Sequence, residues 1–505
     1  MKKQLSLLFL FPFFIFSQAK QYLEFNNVKA LITSDGFLFY DEGMGLASYN
    51  VPKSNFGDGV NSIFITSFLS MGKVNGILKG VGNTYSDHEF ISGPFATNYT
   101  AGNYVQKYSL LWNVNQYEIN FHILNWNQAG YVTPSSILDW PGNGDVSNGE
   151  SKILAPFKDL NGNQLYEPLL GEYPLIRGDR AVYSIMNDEN CPHVASGLTP
   201  LRQEIHVMAY QFAAGDCLNQ TTFIHCEIFN RSTDIYTDYK FGLFNDYDLG
   251  YYADDFVGSD SNLSLSYAYN GDSNDDNFNT IPHGYGINPP AFGCMELNHN
   301  LSSNIQYDSV NNNLELYNNL KGLKGDGTTF LDASNTPTNF IYDNSVNSAW
   351  NEVAEGNLKG DRKNVLGTTI CTINPSESIC RDFAFIYARS SSYVSGLESV
   401  DLLKVNAVIV QNFYDTQSFS CMNEVGVKEI TNSHYLTVYP NPTEKTVTVS
   451  IEGEFSYSIV GIDGKLIQKG KTKNSEINVE ALNSGLYYIE VISDKGFYRS
   501  QFTKK

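Results

Sequence analysis

Short runs of β-branched and aromatic residues, separated by turn residues, recur along most of the chain and predict a mainly β protein. The runs at 62–69 and 77–81 flank Asn75-Gly76, a residue pair that favours a tight hairpin turn. A second hairpin is predicted from the runs at 204–212 and 222–229. Both pairs of runs indicate antiparallel sheets.

One clear helix is predicted near the end of this β-rich region, over residues 395–414. Apolar residues recur there at roughly helical spacing, at Leu397, Val400, Leu403, Val408 and Phe413. A chain of 505 residues is too long for one ordinary domain, since domains usually hold about 100–200 residues. We therefore expect residues 20–430 to form a large body rich in antiparallel β-sandwich, with a candidate internal boundary near residue 155.

Residues 435–505 form a separate unit in the sequence pattern. About seven short strands fit into this segment, separated by turns at Asp463-Gly464, 483–485 and 494–496. The chain has a net charge of −21, but its acidic excess lies before this segment, which marks a boundary near residue 430. The pattern predicts a small β-sandwich, and the negative charge argues against nucleic acid as a partner.

Motifs in this last segment resemble a known family. In chain order they are Tyr439, Pro440, Asn441 and Pro442, then Asp463, Gly464 and Lys465, then Gly485 and Tyr487. Residues 435–505 are similar in these motifs to the C-terminal type A sorting domain of the Bacteroidota type IX secretion system. The resemblance implies an immunoglobulin-like sandwich that is bound by the translocon and sorting machinery of that system. It also implies removal of the domain when the cargo is released or attached to surface lipopolysaccharide. The alternative is an unrelated sandwich fused for stability.

The body resembles, more loosely, a group of uncharacterised Bacteroidota secreted proteins. The resemblance rests on short motifs spread over most of the body, at residues 26–30, 49–53, 155–163, 173–179, 246–258 and 267–272. It implies a class and a location, but no activity.

Residues 1–19 have the pattern of a secretory signal peptide. Two lysines precede an apolar stretch at 5–16, and small residues stand at the cleavage position, Ser17-Gln18-Ala19. A membrane anchor is the alternative, but the apolar stretch is shorter than the roughly 20 residues that span a bilayer. We expect export through the inner membrane, a mature chain that begins near Lys20, and an extracellular or cell-surface location without a transmembrane anchor.

Seven cysteines lie beyond this signal, and an odd number leaves at least one of them unpaired. A turn centred on Pro375-Ser376 would place Cys371 directly opposite Cys380 in a hairpin. Directly opposed residues have Cα atoms about 4.5–5.5 Å apart, a distance that a disulfide can bridge. We therefore predict a disulfide between Cys371 and Cys380, with two buried free thiols as the alternative.

Residues 159–167 have the spacing of a calcium-binding loop. Calcium prefers about six to eight oxygen ligands, and alternate positions of a tight loop direct their oxygens to one point. The predicted ligands are Asp159, Asn161, Asn163, the Leu165 carbonyl and Glu167. The alternative is an Asx-rich turn, in which the same side chains bond their own backbone.

A second set of carboxylates makes calcium a candidate cofactor at another place. Its members are Asp246, Asp248, Asp254, Asp255 and Asp260. Carboxylates so close in sequence repel one another, and a divalent ion would relieve the repulsion. Exposed loops whose charges are screened by water are the alternative.

The second predicted hairpin carries a candidate catalytic or transition-metal group. Glu204 and Glu227 are a possible carboxylate pair, which His206 and His225 would extend. Strand alternation places Glu204 with His206 on one face and His225 with Glu227 on one face, but the register between the strands is not fixed. Polar residues on the solvent face of a sheet are the alternative.

The familiar enzyme signatures are absent from the sequence, although a catalytic triad can assemble from distant positions. The sequence therefore leaves open whether the body is an enzyme. It favours a secreted, calcium-stabilised, non-enzymatic surface or binding protein. A secreted hydrolase that acts on glycans is the alternative.

Overall fold

The computed structural model describes residues 19–54, 59–82, 84–85, 88–99, 104, 107–276, 284–307, 312–345, 349–394, 396–417, 419, 421, 436–451, 453–461, 466–493 and 496–505. The predicted signal peptide lies outside the described residues, apart from Ala19. Asp463, Gly464 and Lys465 lie outside them too.

The strands of the body are β1 (Lys20–Leu23), β2 (Lys29–Thr33), β3 (Phe37–Leu38), β4 (Tyr40–Asp41), β5 (Leu46–Ala47), β6 (Tyr49–Asn50), β7 (Ile65–Val74), β8 (Ile77–Val81), β9 (Ile91–Ser92), β10 (Trp112–Asn115), β11 (Phe157–Lys158), β12 (Tyr173–Pro174), β13 (Arg180–Asn187), β14 (Gln203–Gln211), β15 (Thr221–Asn230), β16 (Tyr236–Tyr247), β17 (Asp255–Asp260), β18 (Leu265–Asn270), β19 (Asn274–Asp275), β20 (Gly286–Ile287), β21 (Ala291–Glu296), β22 (Ser303–Gln306), β23 (Phe330–Leu331), β24 (Pro337–Thr338), β25 (Arg362–Gly367), β26 (Cys371–Ile373) and β27 (Ser378–Ala388).

The described helices all belong to the body. They are α1 (Gln116–Asn125), α2 (Ser135–Leu138), α3 (Asn313–Leu320), α4 (Glu352–Glu355) and α5 (Glu398–Thr416). Short 3₁₀ turns lie at Val146–Asn148, Pro168–Leu170, Cys217–Gln220, Tyr252–Asp254 and Ser261–Leu263.

Two large antiparallel sheets build the body. The first has the strand order β1-β2-β3-β7-β16-β25-β22, with β6, β8 and β26 paired beside β2, β7 and β16. The second has the order β10-β13-β14-β15-β27-β21-β18-β17, with β9 beside β13. Aromatic and aliphatic side chains from both sheets meet in one core, among them Phe68 and Phe241 from the first and Ile205, Phe292 and Phe385 from the second. The body is therefore a β-sandwich, as the sequence predicts.

Both sheets are also covered on their outer faces. Helix α5 packs on the second sheet through Leu403, Val410 and Phe413, beside residues of the irregular segment that precedes β13. Helix α3 packs on the first sheet through Leu316 and Leu320. All nine residues of β14 are buried as a result. This four-layer arrangement covers both faces of the central strands over most of their length.

The two predicted hairpins are confirmed. Strands β7 and β8 are joined by Asn75 and Gly76, whose φ angles of 51° and 80° lie in the left-handed region that such a tight turn requires. Strands β14 and β15 pair antiparallel, with His206 opposite Glu227. The predicted helix is α5, which ends two residues later than expected. The shorter helices α1 to α4 were not predicted.

The predicted Cys371–Cys380 disulfide is wrong. Cys380 is bonded to Cys421, 41 residues further along the chain, and Cys371 is a free thiol. The chain does turn at Pro375-Ser376. However, the strands on either side of the turn join different sheets, since β26 pairs with β16 of the first sheet and β27 lies in the second. The two cysteines are therefore separated by the layers of the sandwich.

A second, smaller sandwich follows the body. Its strands are β28 (Val438–Tyr439), β29 (Thr446–Val449), β30 (Phe455–Gly461), β31 (Leu466–Thr472), β32 (Glu476–Asn478), β33 (Gly485–Ser493) and β34 (Gly496–Lys504). They form one sheet of order β28-β29-β32 and one of order β31-β30-β33-β34. An apolar core that includes Val447, Ile459, Ile489 and Phe502 lies between the sheets. The domain bounds given by the sequence stay predictions.

Candidate functional site

The loop at 159–167 is an exposed turn that begins at Asp159. The carboxylate of Asp159 accepts hydrogen bonds from the backbone N–H groups of Gly162 and Gln164, at 2.7 and 2.8 Å. These bonds, that of Gln164 above all, lower the pKa of Asp159. The loop therefore holds this carboxylate in its charged form, as a cation ligand requires.

Three other predicted ligands converge in the same loop. Asn161 and Asn163 each donate a side-chain amide N–H to Glu167 Oε2, at 2.9 and 2.6 Å. Leu165 donates its backbone N–H to Asn163 Oδ1 at 2.7 Å. The buried carboxylate of Glu172 accepts the N–H of Glu167 at 2.7 Å and so anchors the end of the loop. The amide oxygens of Asn161 and Asn163 accept backbone N–H groups and their nitrogens face Glu167, which is the arrangement of an Asx-rich turn. The calcium assignment stays a prediction.

Asp246, Asp248 and Asp361 form an acidic group in which one oxygen of each lies within 4.8 Å of the others. Asp246 Oδ2 accepts a hydrogen bond from Tyr85 at 2.7 Å, whereas its buried Oδ1 accepts none from the described residues. The nearest ammonium to that oxygen, Lys363 Nζ, is 3.6 Å away. Burial raises the pKa of Asp246 to about 6, and burial with Asp246 nearby raises the pKa of Asp248 to about 8. One lysine thus faces three carboxylates.

Asp254, Asp255 and Asp275 form a second buried group. One oxygen of Asp254 and one of Asp255 accept no hydrogen bond from the described part of the chain. Burial raises the pKa of Asp255, with Asp254 and Asp275 adding to the effect, and it raises the pKa of Asp275 to about 7. Asp260 lies apart at the other end of β17, where Lys404 Nζ is 2.8 Å from its carboxylate.

The five aspartates predicted as one cation site are therefore divided among three places. The alternative of exposed, water-screened loops does not hold for Asp246, Asp254, Asp255 and Asp260, which are all buried. Asp361 was missed by the sequence analysis because it precedes β25, more than a hundred residues after Asp246, and only the pairing of β25 with β16 brings the two together.

Glu204 and His206 lie buried on the outer face of the second sheet. Glu204 Oε1 is 2.8 Å from His206 Nε2 and 2.5 Å from an Arg231 nitrogen, and Oε2 accepts the N–H of Phe95 at 2.7 Å. His206 Nδ1 is 2.9 Å from the hydroxyl of Tyr183. Burial alone would raise the pKa of Glu204, but Arg231 and His206 outweigh burial and lower it to about 2.

His225 and Glu227 lie beside that pair on β15, and β27 brings two further groups next to them. His225 is opposite Asp382, and Glu227 is opposite Cys380. His225 Nδ1 is 2.5 Å from Asp382 Oδ1, and an Arg177 nitrogen donates to both Asp382 oxygens at 2.9 Å. Burial alone would raise the pKa of Asp382, but His225 and Arg177 hold it well below its usual range.

The last turn of α5 and the segment that follows it cover Asp382 and Arg177. Tyr414 donates its hydroxyl hydrogen to Asp382, and the ring of Phe419 lies 4.5 Å from the Arg177 guanidinium. Glu204 and Glu227 are both 0% exposed, so the alternative of polar residues on a solvent face is wrong. The reason is that the covering layer excludes water from this side of the second sheet.

The motif that begins at Tyr439 is tied to the end of the chain. Asn441 Oδ1 accepts the backbone N–H of Thr503 at 2.9 Å, and Asn441 Nδ2 donates to the Gln501 carbonyl at 3.2 Å. Tyr439 itself is 53% exposed. An open depression of about 370 Å³ beside the motif is lined by Pro440, Pro442, Thr443, Glu444, Lys445, Thr446 and Lys505.

Gly485 and Tyr487 belong to β33, next to the last strand. Gly485 is opposite Lys504 in the ladder, and the Tyr487 ring stacks on Phe502 with ring centroids 5.8 Å apart. The Tyr487 hydroxyl donates to the Asn483 carbonyl at 2.9 Å. The described members of the motif thus gather around the C-terminal strand.

Comparison with protein families matches residues 437–505 to the secretion system C-terminal sorting domain. The last domain is a type IX sorting domain. Its presence marks the chain as cargo for export to a secreted or cell-surface location, and it implies contact with the type IX machinery. Among the residues that the structure describes, no helix has the length and apolar character needed to cross a membrane.

The body has distant likenesses among the solved structures compared with it. No curated protein matches the chain. A solved polysaccharide lyase is 8% identical with a TM-score of 0.20, over 60% of this chain and 34% of the lyase, so the chain spans about a third of the lyase's length. A protein from Escherichia coli K12 assigned as an aldose 1-epimerase is 10% identical with a TM-score of 0.24, over 74% of this chain and 100% of that protein. Neither likeness bears on the activity of the body.

The sorting domain contacts the body through buried charged groups. An Arg499 nitrogen on β34 lies 2.5 Å from Asp179 Oδ2 of the body, and Arg499 Nε is 3.5 Å from Glu490 Oε1 of β33. Arg499 also donates to the Ala213 carbonyl, and Glu490 accepts the Gly215 N–H at 2.9 Å. Burial raises the pKa of Asp179, which makes its charged form dependent on Arg499.

Proposed function

We propose that this chain is a cargo of the type IX secretion system whose body is a calcium-stabilised, non-enzymatic surface or binding protein. The observation that carries the proposal is the folded sorting domain, in which Asn441 joins the motif to the last strand. After export, attachment to surface lipopolysaccharide or release into the medium follows removal of that domain. Surface glycans are the class of partner proposed for the body.

The acidic groups support the calcium part of the proposal. Asp246, Asp248 and Asp361 share one nearby lysine, and an oxygen of Asp246 is buried without a hydrogen-bond donor among the described residues. A divalent cation would supply positive charge and oxygen coordination at such a place. The exposed loop that begins at Asp159 offers a second group of oxygens, two of them held by backbone N–H groups.

The burial of the candidate catalytic residues supports a binding role over glycan hydrolysis. A glycosidase needs two carboxylates that reach across a sugar bond. Glu204 and Glu227 are covered by protein, and Glu204 is held by Arg231 and His206. In this arrangement neither carboxylate reaches a polysaccharide substrate.

Truncation after Thr431 is expected to leave the body in the periplasm of a host with a working type IX system, because the truncation removes the whole sorting domain. Immunoblots of periplasm, cell surface and medium measure the result. The full chain in the same host, and in a host that lacks the translocon, are the controls. If the truncated body reached the surface or medium as well as the full chain does, the export assignment would be wrong.

Calcium is expected to raise the melting temperature of the full chain by several degrees. A ligand that binds only the native state stabilises it by about 2.7 kcal/mol at about 100 times its Kd. The measurement is thermal unfolding in millimolar calcium and in EDTA. If calcium binds mainly at the 159–167 loop, Asp159→Ala should remove most of the calcium-dependent shift in melting temperature. If it binds mainly at the group of Asp246, Asp248 and Asp361, Asp248→Asn should remove most of that shift.

Asp326→Ala is the matched control for these variants. Asp326 closes an exposed turn by accepting hydrogen bonds from the N–H and hydroxyl of Thr328, at 2.9 and 2.6 Å, and among the described residues no second carboxylate takes part in these bonds. Its replacement should leave the calcium shift unchanged. Equal melting temperatures of the unaltered chain in calcium and in EDTA would end the calcium proposal.

A further inference from the structure

His225, Glu227 and Cys380 meet at one buried point on the outer face of the second sheet. One ligand atom from each lies within 4.8 Å of the others. His225 and Glu227 are two residues apart on β15, so both side chains project from the same face. Cys380 is directly opposite Glu227 on β27, and all three residues are buried. Imidazole, carboxylate and thiolate are together a donor set that zinc favours.

Asp382 orients the histidine of this group. With Asp382 bound at Nδ1 of His225, Nε2 is the ring nitrogen left for an ion. A histidine that binds metal usually gives its other nitrogen to a carboxylate or carbonyl, which fixes the ring. Asp382 is in turn held by Arg177 and Tyr414, so the orienting carboxylate is itself rigidly placed.

Cys421 supplies a fourth donor next to this point. Its sulfur is bonded to Cys380 Sγ, so opening the disulfide leaves a second thiol beside His225, Glu227 and Cys380. We propose that in the dithiol form these four residues bind one zinc ion, and that the Cys380–Cys421 disulfide excludes the ion. Four protein ligands complete the tetrahedral coordination of a closed, structural zinc site.

A small-molecule disulfide can oxidise the zinc-bound dithiol form to the disulfide form. The two zinc-bound thiolates form one S–S bond and pass two electrons to the oxidant. The oxidant takes up two protons and becomes two thiols, while Zn²⁺ leaves the protein. Oxidised glutathione is a suitable reagent of this class.

The neighbouring histidine does not join the site. His206 is bound at both ring nitrogens, to Glu204 at 2.8 Å and to the Tyr183 hydroxyl at 2.9 Å. Of the four residues that the sequence suggested for a transition-metal site, only His225 and Glu227 are therefore placed for one. The two sulfur ligands come from the distant strand β27 and from the segment after α5.

Zinc binding by the unaltered full chain in its two redox forms tests the proposal. The chain is reduced and freed of metal, or oxidised with glutathione disulfide. Each form is then titrated with zinc chloride against a chromogenic chelator. The reduced chain should retain one zinc ion more than the oxidised chain. Equal retention by the two forms, including no retention by either, would overturn the proposal.

Variants locate the ion. Loss of a residue that only orients a metal ligand weakens metal binding by roughly 10–100-fold, and we expect a loss of this size in Asp382→Asn. Cys421→Ser and Glu227→Gln remove ligands themselves, so each should weaken zinc binding by the reduced chain by more than that. Cys371→Ser and His299→Ala are the matched controls and should bind as the unaltered chain does. With cobalt as the probe, the thiolate-to-metal absorption should weaken in Cys421→Ser, which keeps only the Cys380 thiolate, and should be unchanged in Cys371→Ser. Circular dichroism checks that each variant is folded.

The comparison of the reduced and oxidised forms uses only the unaltered chain. It therefore tests the zinc proposal even if a replacement prevents a variant from folding. If Cys371→Ser lost the ion and Cys421→Ser kept it, zinc would bind elsewhere and the assignment would be refuted. The calcium and export experiments read different sites, so their outcomes leave this test unaffected.

Discussion

Replacing Arg499 by methionine should separate the unfolding of the sorting domain from that of the body. The replacement leaves Asp179 buried without its nearest cation, and breaking a buried ion pair by removal of one partner costs about 3–5 kcal/mol. The loss of stability has an upper limit, which is the free energy of association of the two domains. At that limit the domains separate, and Asp179 is hydrated again. Differential scanning calorimetry should therefore show an earlier, separate transition for the sorting domain.

Two comparisons make this result specific. Lys471→Met removes an exposed cation of the same domain, 3.3 Å from Glu454, and should change stability by at most about 1 kcal/mol. Combining Arg499→Met with Asp179→Asn should recover the part of the loss that comes from Asp179, while buried Glu490 still lacks its cation. Identical calorimetric traces for Arg499→Met and the unaltered chain would show that this contact does not join the domains.

Acid should destabilise the body below about pH 4, where the carboxylates with a raised pKa are protonated in both the folded and the unfolded state, and Glu204 should account for a measurable part of the loss. The pKa of Glu204 is lowered from an ordinary value of 4.5 to about 2 in the folded chain. Its contribution to stability is therefore present above pH 4.5 and is lost as the pH falls toward 2. At about 1.4 kcal/mol per pKa unit, the loss is about 3 kcal/mol.

The measurement is the free energy of unfolding by urea at a series of pH values. Glu204→Gln should flatten the dependence on pH in this window, while the exposed Glu355→Gln should leave the slope unchanged. Asp382 also has a lowered pKa, so both variants should retain part of the acid sensitivity. A slope for Glu204→Gln equal to that of the unaltered chain would contradict the assignment.

The sequence predicts well those features that depend on neighbours along the chain. The Asn75-Gly76 turn, the hairpin of β14 and β15 and the long helix α5 all follow from local pattern. The sorting domain was found in the same way, since its motifs stand in a fixed order. Helix α3 was missed because half of its eight residues are Asn or Glu, and packing of Leu316, Tyr317 and Leu320 on the first sheet stabilises it.

The sites of the body depend on strand neighbours that are distant in sequence. Alternation indicates which residues share a face, but it does not say which strand lies beside which. Asp361 joins Asp246 only through the pairing of β25 with β16, and Asp382 joins His225 only through that of β27 with β15. The disulfide prediction failed for the same reason, since a local turn does not show that its two arms enter different sheets.

The position of β27 between β15 and β21 determines the order in which the body can fold. Strand β15 ends at Asn230 and β27 begins at Ser378, so the middle of the second sheet stays open until nearly 150 further residues have been synthesised. Pairings over such distances in sequence make folding slow, because the loop must close before its contacts are gained. During that interval β15 and β21 each present an unpaired edge, which other chains can join unless a chaperone covers it.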